Sequence, residues 1–321
     1  MTPRPPADGE YLRPRRRPAR VVALACFGAL LAFLAPGSAV SAGASFNAGI
    51  VWAEATEGVY AANVDGSGVR RLVPRIGDGH HDPVWSPSGD RLVFSTRVSD
   101  SVELLMLRPA AGTRRVLALK GRWRWPRQGR NFSYVLESTW APDEQHLAVS
   151  DSRNPVNSTI RIVSLRAGRL LRPLTSPNDR LADSLPAWSP DGRTIAFVRQ
   201  RVKPNLVYGP AAIFLIRPDG RGLRRLARGT SPSWSPDGRH LVYAKGDGIY
   251  RIGADGSGRM RIAGGLVGGR GSVLQPRWSP DGRKILYVTR PGGIWIMDDD
   301  GSDRVRVIRR PVISGVGWQP G

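Results

Sequence analysis

The chain has a single cysteine, Cys26, and only four lysines among its 321 residues. A lone thiol excludes a disulfide framework and any Cys-based zinc site, so packing and backbone hydrogen bonds must hold the fold. Acidic residues are scarce as well: 26 Asp and Glu stand against 48 Lys and Arg, a formal charge of +22. A bilayer span needs about 20 apolar residues. The uncharged run from Val21 to Ala35 stops at fifteen. No Gly-x-Ser-x-Gly is present, which excludes a nucleophile-elbow hydrolase. What is there folds: 40% of residues are apolar, ten are Trp, and a wholly disordered polyelectrolyte is excluded. Gly (38) and Pro (27) together predict many turns and few long helices.

The first forty residues read as an address. Arg15, Arg16, Arg17 and Arg20 precede the Val21–Ala35 run, which ends at Pro36-Gly37 and gives way to small residues up to Ala44. A basic head, a short apolar centre and a small-residue tail predict a secretory signal peptide over 1–44, cleaved after Ala42 or Ala44. Retention as a membrane anchor is the lesser alternative. Removal of residues 1–42, with six Arg against one Asp and one Glu, leaves a net charge of +18 and no thiol.

Internal repetition decides the fold. Trp188-Ser189-Pro190-Asp191-Gly192-Arg193 recurs from Trp234 and from Trp278, with looser copies at Trp85, Trp140 and Trp318. The six tryptophans are 55, 48, 46, 44 and 40 residues apart. Behind each turn comes an apolar strand such as Ile195-Ala196-Phe197, then a second such as Ile213-Phe214-Leu215-Ile216. An Asp-Gly turn and an Arg-bearing strand such as Arg304-Val305-Arg306-Val307 end the unit. Four strands in about 45 residues is the composition of a propeller blade. Pro presets φ at a turn and Asp-Gly supplies an acceptor and a positive φ. The repeated indole offers a flat body to wedge between blades. Paired arginines on the outermost strand protect its free edge. The first copy lacks its opening strand, which Val316-Gly317-Trp318 would supply. Pairing the two ends predicts an all-β, six-bladed propeller of four-stranded blades over 45–321, closed by its own termini and monomeric.

The Trp-Ser-Pro-Asp-Gly and Asp-Gly-Ser segments resemble the TolB-like six-bladed propellers of bacteria, a WD40-like repeat architecture. The resemblance covers about residues 46–321 and implies a blade geometry in which Trp85, Trp140, Trp188, Trp234, Trp278 and Trp318 are structural. It implies no activity, because one fold hosts many functions. The family's namesake carries an α/β domain ahead of its propeller, for which the few residues after the leader leave no room.

Function is expected on the variable connections 74–84, 118–138, 152–159, 199–212 and 263–276 rather than on the monotonous Pro-Asp-Gly rim. The most distinctive of them holds Arg122, Trp123, Arg124, Trp125, Arg127, Arg130 and Tyr134, cations interleaved with rings. That mixture suits an anionic polymer or acidic protein; a loop folding its own aromatics onto the ring is the blander alternative. His80, His81 and Asp82 are the only clustered metal-ligating types. Neighbours on an extended segment face opposite ways, so a polar rim loop without metal is expected there. Asp179 and Asp183 are expected to be solvated loop acids. No cofactor and no catalytic residue is assigned. The reading is an exported, non-catalytic binding module or scaffold, periplasmic, cell-surface or extracellular. Its partner is a protein or an anionic envelope or cell-wall polymer, not nucleic acid, with loose association to anionic membrane surfaces. The alternative is a carbohydrate- or small-molecule-acting lyase or hydrolase with its site at the channel mouth; converging acid, base and cation there would favour it.

Overall fold

The computed structural model describes residues 49–54, 57–74, 80–98, 101–108, 113–117, 137–151, 158–175, 180–204, 207–265, 275–289, 292–310 and 314–320. For residues 80, 81, 97, 98, 101, 113–117 and 314 the description is of backbone only. The expected leader over 1–44 and the basic-aromatic segment 120–134 lie outside the described residues.

Twenty-four strands among the described residues form six antiparallel four-stranded sheets. The first blade contains β1 (Gly49–Glu54), β2 (Gly58–Asn63) and β3 (Arg70–Pro74); the second runs β4 (His80–Trp85), β5 (Leu92–Val98), β6 (Ser101–Arg108) and β7 (Thr113–Leu117). The third is β8 (Ser138–Trp140), β9 (His146–Asp151), β10 (Thr159–Ser164) and β11 (Arg169–Pro173). The fourth is β12 (Leu181–Trp188), β13 (Ile195–Arg201), β14 (Ala212–Ile216) and β15 (Arg224–Arg228). The fifth is β16 (Thr230–Trp234), β17 (His240–Lys245), β18 (Gly248–Gly253) and β19 (Met260–Ala263). The sixth is β20 (Arg277–Trp278), β21 (Lys284–Val288), β22 (Ile294–Asp298) and β23 (Val305–Ile308), and β24 (Ser314–Trp318) follows. β24 pairs with β1, giving the first sheet the order β24-β1-β2-β3. Ile50 faces Trp318, Trp52 faces Val316, and the Gln319 N–H donates to the Gly49 carbonyl at 2.8 Å. The ends of the chain therefore share one blade, as the missing first strand predicts.

Turn chemistry explains the repeated sequence. The Ser189 hydroxyl donates to Asp191 Oδ1 at 2.5 Å, and the same oxygen accepts from the Arg193 N–H at 3.0 Å. Gly192 takes φ 74° and donates to the Ser189 carbonyl. The turns at 235–240 and 279–284 repeat this network. Hydrogen bonds from Ser189, Ser235 and Ser279 hold the carboxyls of Asp191, Asp237 and Asp281 below their ordinary range. The third blade departs from the rule: Glu144 stands where the others have Gly, at φ 53°. Its carboxylate crosses to the second blade, accepting from the Ser88 N–H at 2.5 Å and from the Arg91 guanidinium, whose CZ lies 4.9 Å from the Trp140 ring centroid. Interblade contact offsets the cost of a side chain in the left-handed region.

Middle strands covered on both faces read continuously apolar, and they are buried. Six apolar clusters each join two neighbouring blades. One couples Val51, Val59 and Leu72 to Leu92, Phe94 and Leu105; another couples Leu286, Ile294 and Ile296 to Ile50, Trp52 and Tyr60. The remaining four occupy the other junctions, so every blade is wedged on both sides. Each such side chain contributes about 1.5–3 kcal/mol when fully buried. Directly opposed aromatics stack within four blades: Trp52 on Tyr60, Phe197 on Phe214, Tyr243 on Tyr250 and Tyr287 on Trp295. The predicted arginine pairs sit on or beside the outermost strands, as edge protection requires.

Candidate functional site

The innermost strand of each blade carries the repeated tryptophan, and its pairing slips just upstream. Register breaks lie between His81 and Val84, Ser184 and Ala187, Thr230 and Ser233, and opposite the step from Trp52 to Ala53. The residue three before the tryptophan adopts a left-handed backbone in these four blades: Asp82 (φ 45°), Leu185 (52°), Ser231 (54°) and Gly315 (64°). In three of them proline follows, and a proline cannot donate a ladder hydrogen bond. A bulge results, and bulges re-aim side chains. Around the ring of blades, the positions three before the tryptophan hold Asp82, Glu137, Leu185, Ser231, Gln275 and Gly315.

Next to that ring lies a cavity of about 410 Å³ lined by the tryptophan and the proline two positions after it from all six blades, Trp85 and Pro87 through Trp318 and Pro320. Indole N–H groups stitch its wall: Trp140 donates to the Val84 carbonyl (3.0 Å), Trp234 to Ala187 (3.0 Å) and Trp318 to Arg277 (2.9 Å). In the alternate junctions the tryptophan backbone N–H donates instead to a hydroxyl of the preceding blade, Trp188 to Thr139 and Trp278 to Ser233. The turns interlock as well, since a Cβ on Gly192, Gly238 or Gly282 would touch the proline of the preceding blade.

Among the described residues, Arg277 is the only charged residue lining this cavity. Asp82 and Glu137, on neighbouring blades, are close enough to feel its charge. Burial lifts the Asp82 carboxyl to about 6, with Arg277 pulling the other way. Burial pushes Glu137 up to about 8, and the Asp82 charge adds to the shift. Hydrogen bonds from the Leu185 N–H (2.5 Å) and the Ser150 hydroxyl (3.3 Å), with the Arg277 charge, oppose it. Burial lowers Arg277 in turn, while both carboxylates support its charge. Glu137 and Arg277 keep some accessible surface, yet desolvation is the largest cause of both shifts. Other buried acids are matched: Asp183 makes a two-pronged ion pair with Arg199 (2.6 and 2.7 Å), and Asp151 meets Arg161 at 3.4 Å. No carboxylate lies within ion-pair distance of Arg277 among the described residues.

Several expected placements change. The 80–82 segment is an inner strand rather than a polar rim loop, and the bulge sends Asp82 into the interior, where 8% of its surface remains exposed. Asp183 is buried in β12, not solvated. The axial cavity lies beside the Trp-Ser-Pro turns, the rim set aside as monotonous. Glu137, Arg277 and the proline ring escaped the sequence reading. Aligning the six copies on their tryptophans exposes them, because charge at the positions three before and one before Trp breaks an otherwise neutral column. Among the described residues no three His, Cys, Asp or Glu side chains cluster in a way that could hold a metal ion.

A closed ring of six four-stranded blades around an axial cavity defines a six-bladed β-propeller. The family profile of the TolB beta propeller domain matches residues 130–310, more than half of the chain, and the chain belongs to that family. TolB from Acinetobacter baumannii superposes with a TM-score of 0.67 at 17% identity, covering 87% of this chain and 68% of that one. The putative TolB from Agrobacterium tumefaciens gives 0.58 at 20% identity, over 87% of this chain and all of that one. A chain of a nidogen/laminin complex gives 0.64 at 9% identity, over 85% and 98%. At these identities the solved structures speak for the fold alone. No curated protein matches the sequence.

Proposed function

We propose that this propeller is an exported, non-catalytic module that binds a partner protein by taking an extended segment of it into the axial cavity. The carrying observation is the cavity wall: among the described residues, a tryptophan and a proline from every blade and one cation line it, with no carboxylate or imidazole. Such a surface has flat apolar faces for peptide contact and no acid–base pair of its own. Its volume falls in the usual range for ligand pockets, about 300–1,000 Å³. The Val21–Ala35 run and its flanks support export to the periplasm, cell surface or exterior. Arg122, Trp123, Arg124, Trp125, Arg127, Arg130 and Tyr134 supply a second contact, suited to an acidic protein or an anionic envelope polymer. Ala187→Phe would narrow the cavity without adding charge. Capture of envelope proteins that is lost in Ala187→Phe at an unchanged melting temperature supports the reading; undiminished capture overturns it.

One observation favours a second reading. Burial raises the carboxyls of Asp82 and Glu137 above their ordinary range, and the Arg277 charge acts on both, so two perturbed acids and a cation lie within electrostatic reach of one another. Turnover of a carbohydrate or small acid that Glu137→Gln abolishes would establish an enzyme. Binding unaffected by that substitution, with no turnover, leaves the module.

A further inference from the structure

The position one before the repeated tryptophan is held by Gly317, Val84, Thr139, Ala187, Ser233 and Arg277. Five are small or uncharged, and the blade needs no more than that. The structural work of Arg277 is done by its backbone carbonyl, which accepts the Trp318 indole N–H; its guanidinium spends one donor on the Pro276 carbonyl, at 3.3 Å. The charges of Asp82 and Glu137 support the guanidinium, but among the described residues neither carboxylate lies in ion-pair distance, so most of its donors remain unspent. It breaks the repeat where a ligand would pass.

The cavity is lined from all six blades of a closed ring, so the end of an extended chain can enter it along the axis. Of the two ends a peptide can present, a planar fork of N–H donors matches the carboxylate. The wall narrows the choice further, because flat aromatic faces hold proline-rich segments in their preformed extended helix, without much loss of entropy. We infer that Arg277 reads the C-terminal carboxylate of a proline-rich peptide threaded into the axial cavity. Asp82 and Glu137 do not line that cavity, and burial raises both carboxyls above their ordinary range, which weakens the negative charge they present to the incoming carboxylate. The inference rests on the peptide-binding reading above and adds the chemistry of the occupant.

Three synthetic probes test it by titration calorimetry and indole fluorescence on the full propeller. They share the sequence Pro-Pro-Leu-Pro-Pro-Leu: one acetylated with a free carboxylate, one acetylated and amidated, one with a free amine and an amidated end. The free carboxylate should bind about tenfold more tightly than the amidated peptide, and Arg277→Gln should reduce that ratio to about one. Arg277→Gln retains the backbone carbonyl and adopts the uncharged character of the other five blades, so the fold is expected to persist. Melting and circular dichroism check this. Equal binding of all three probes, tighter binding of the free amine, or discrimination that survives Arg277→Gln overturns the carboxylate while leaving the peptide cavity standing. Failure of every probe to bind or to perturb the indoles overturns both.

Discussion

Replacing Trp318 by alanine tests how the ring is held shut. The indole is half-buried against the cluster built from Ile50, Trp52, Leu286 and Ile296, and its N–H reaches the Arg277 carbonyl at 2.9 Å. Truncating a fully buried tryptophan costs about 3–5 kcal/mol, and partial exposure brings this one to about 2–3. Leaving the Arg277 carbonyl unpaired adds about 1 kcal/mol, for a total of about 3–4. Guanidinium denaturation measures the loss, and hydrogen exchange locates it. Amides of β1 facing Val316 and Trp318 should lose protection together. Trp295→Ala is the control: this half-buried indole stacks on Tyr287 and donates to Thr289 within the sixth blade, away from the closing strand. It should destabilise comparably but leave β1 protected relative to global unfolding. A loss below about 1 kcal/mol for Trp318→Ala, with β1 amides fully protected, would refute closure by the terminal strand.

Glu137→Gln carries a pH signature. The folded-state values of Asp82 and Glu137 lie above those of free carboxyls, so their contribution is complete in acid and is lost as pH rises through about 6 and 8. The native protein should melt lower at pH 9 than at pH 5.5, and Glu137→Gln should flatten that fall; identical slopes contradict the assignment. The turn acids have lowered values, so their stabilisation is complete above the ordinary carboxylate range and is lost only as pH falls below it, and the two windows separate. Gly301→Ala should cost about 3 kcal/mol or more, since its Cβ would lie 1.9 Å from the Ile262 carbonyl oxygen at φ 93°, whereas Gly246→Ala, at φ 59° with open space, should cost only about 1–2. Thermal melts rank them, and equal losses would show that the blades do not meet at Gly301. Trp123→Ala combined with Trp125→Ala should weaken partner capture and leave the melting temperature nearly unchanged; strong destabilisation would make those rings core.

The blades were legible because each repeat states its own local physics. Ser, Pro, Asp and Gly at fixed offsets fold one turn through contacts within six residues, and the apolar strands on either side need only a neighbour of the same kind. The missing first strand and the orphan Val316–Trp318 segment even disclosed the closure. The grouping of buried charges was not legible, because no local pattern unites it. Asp82, Glu137 and Arg277 are 55 and 140 residues apart in sequence. They come within electrostatic reach only because the inner edges of three blades converge. Asp82 also sits beside His80 and His81, which drew attention to metal chemistry and away from the bulge that turns the carboxylate inward. The same limit applies to Asp183: an acid in a connecting segment looks solvated until Arg199 is seen across from it on β13.

Partner entry through the tryptophan and proline cavity is tested directly by photocrosslinking. Benzoylphenylalanine placed at Trp188, which lines the cavity and exchanges one large aromatic side chain for another, and separately at Trp123 in the basic-aromatic segment, can be photolysed in cells and its adducts mapped by mass spectrometry. An adduct from position 188 to the terminal residues of a partner chain is expected, and it should be lost when Arg277→Gln is introduced. Adducts from position 123 alone, with none from 188, would contradict entry through the cavity.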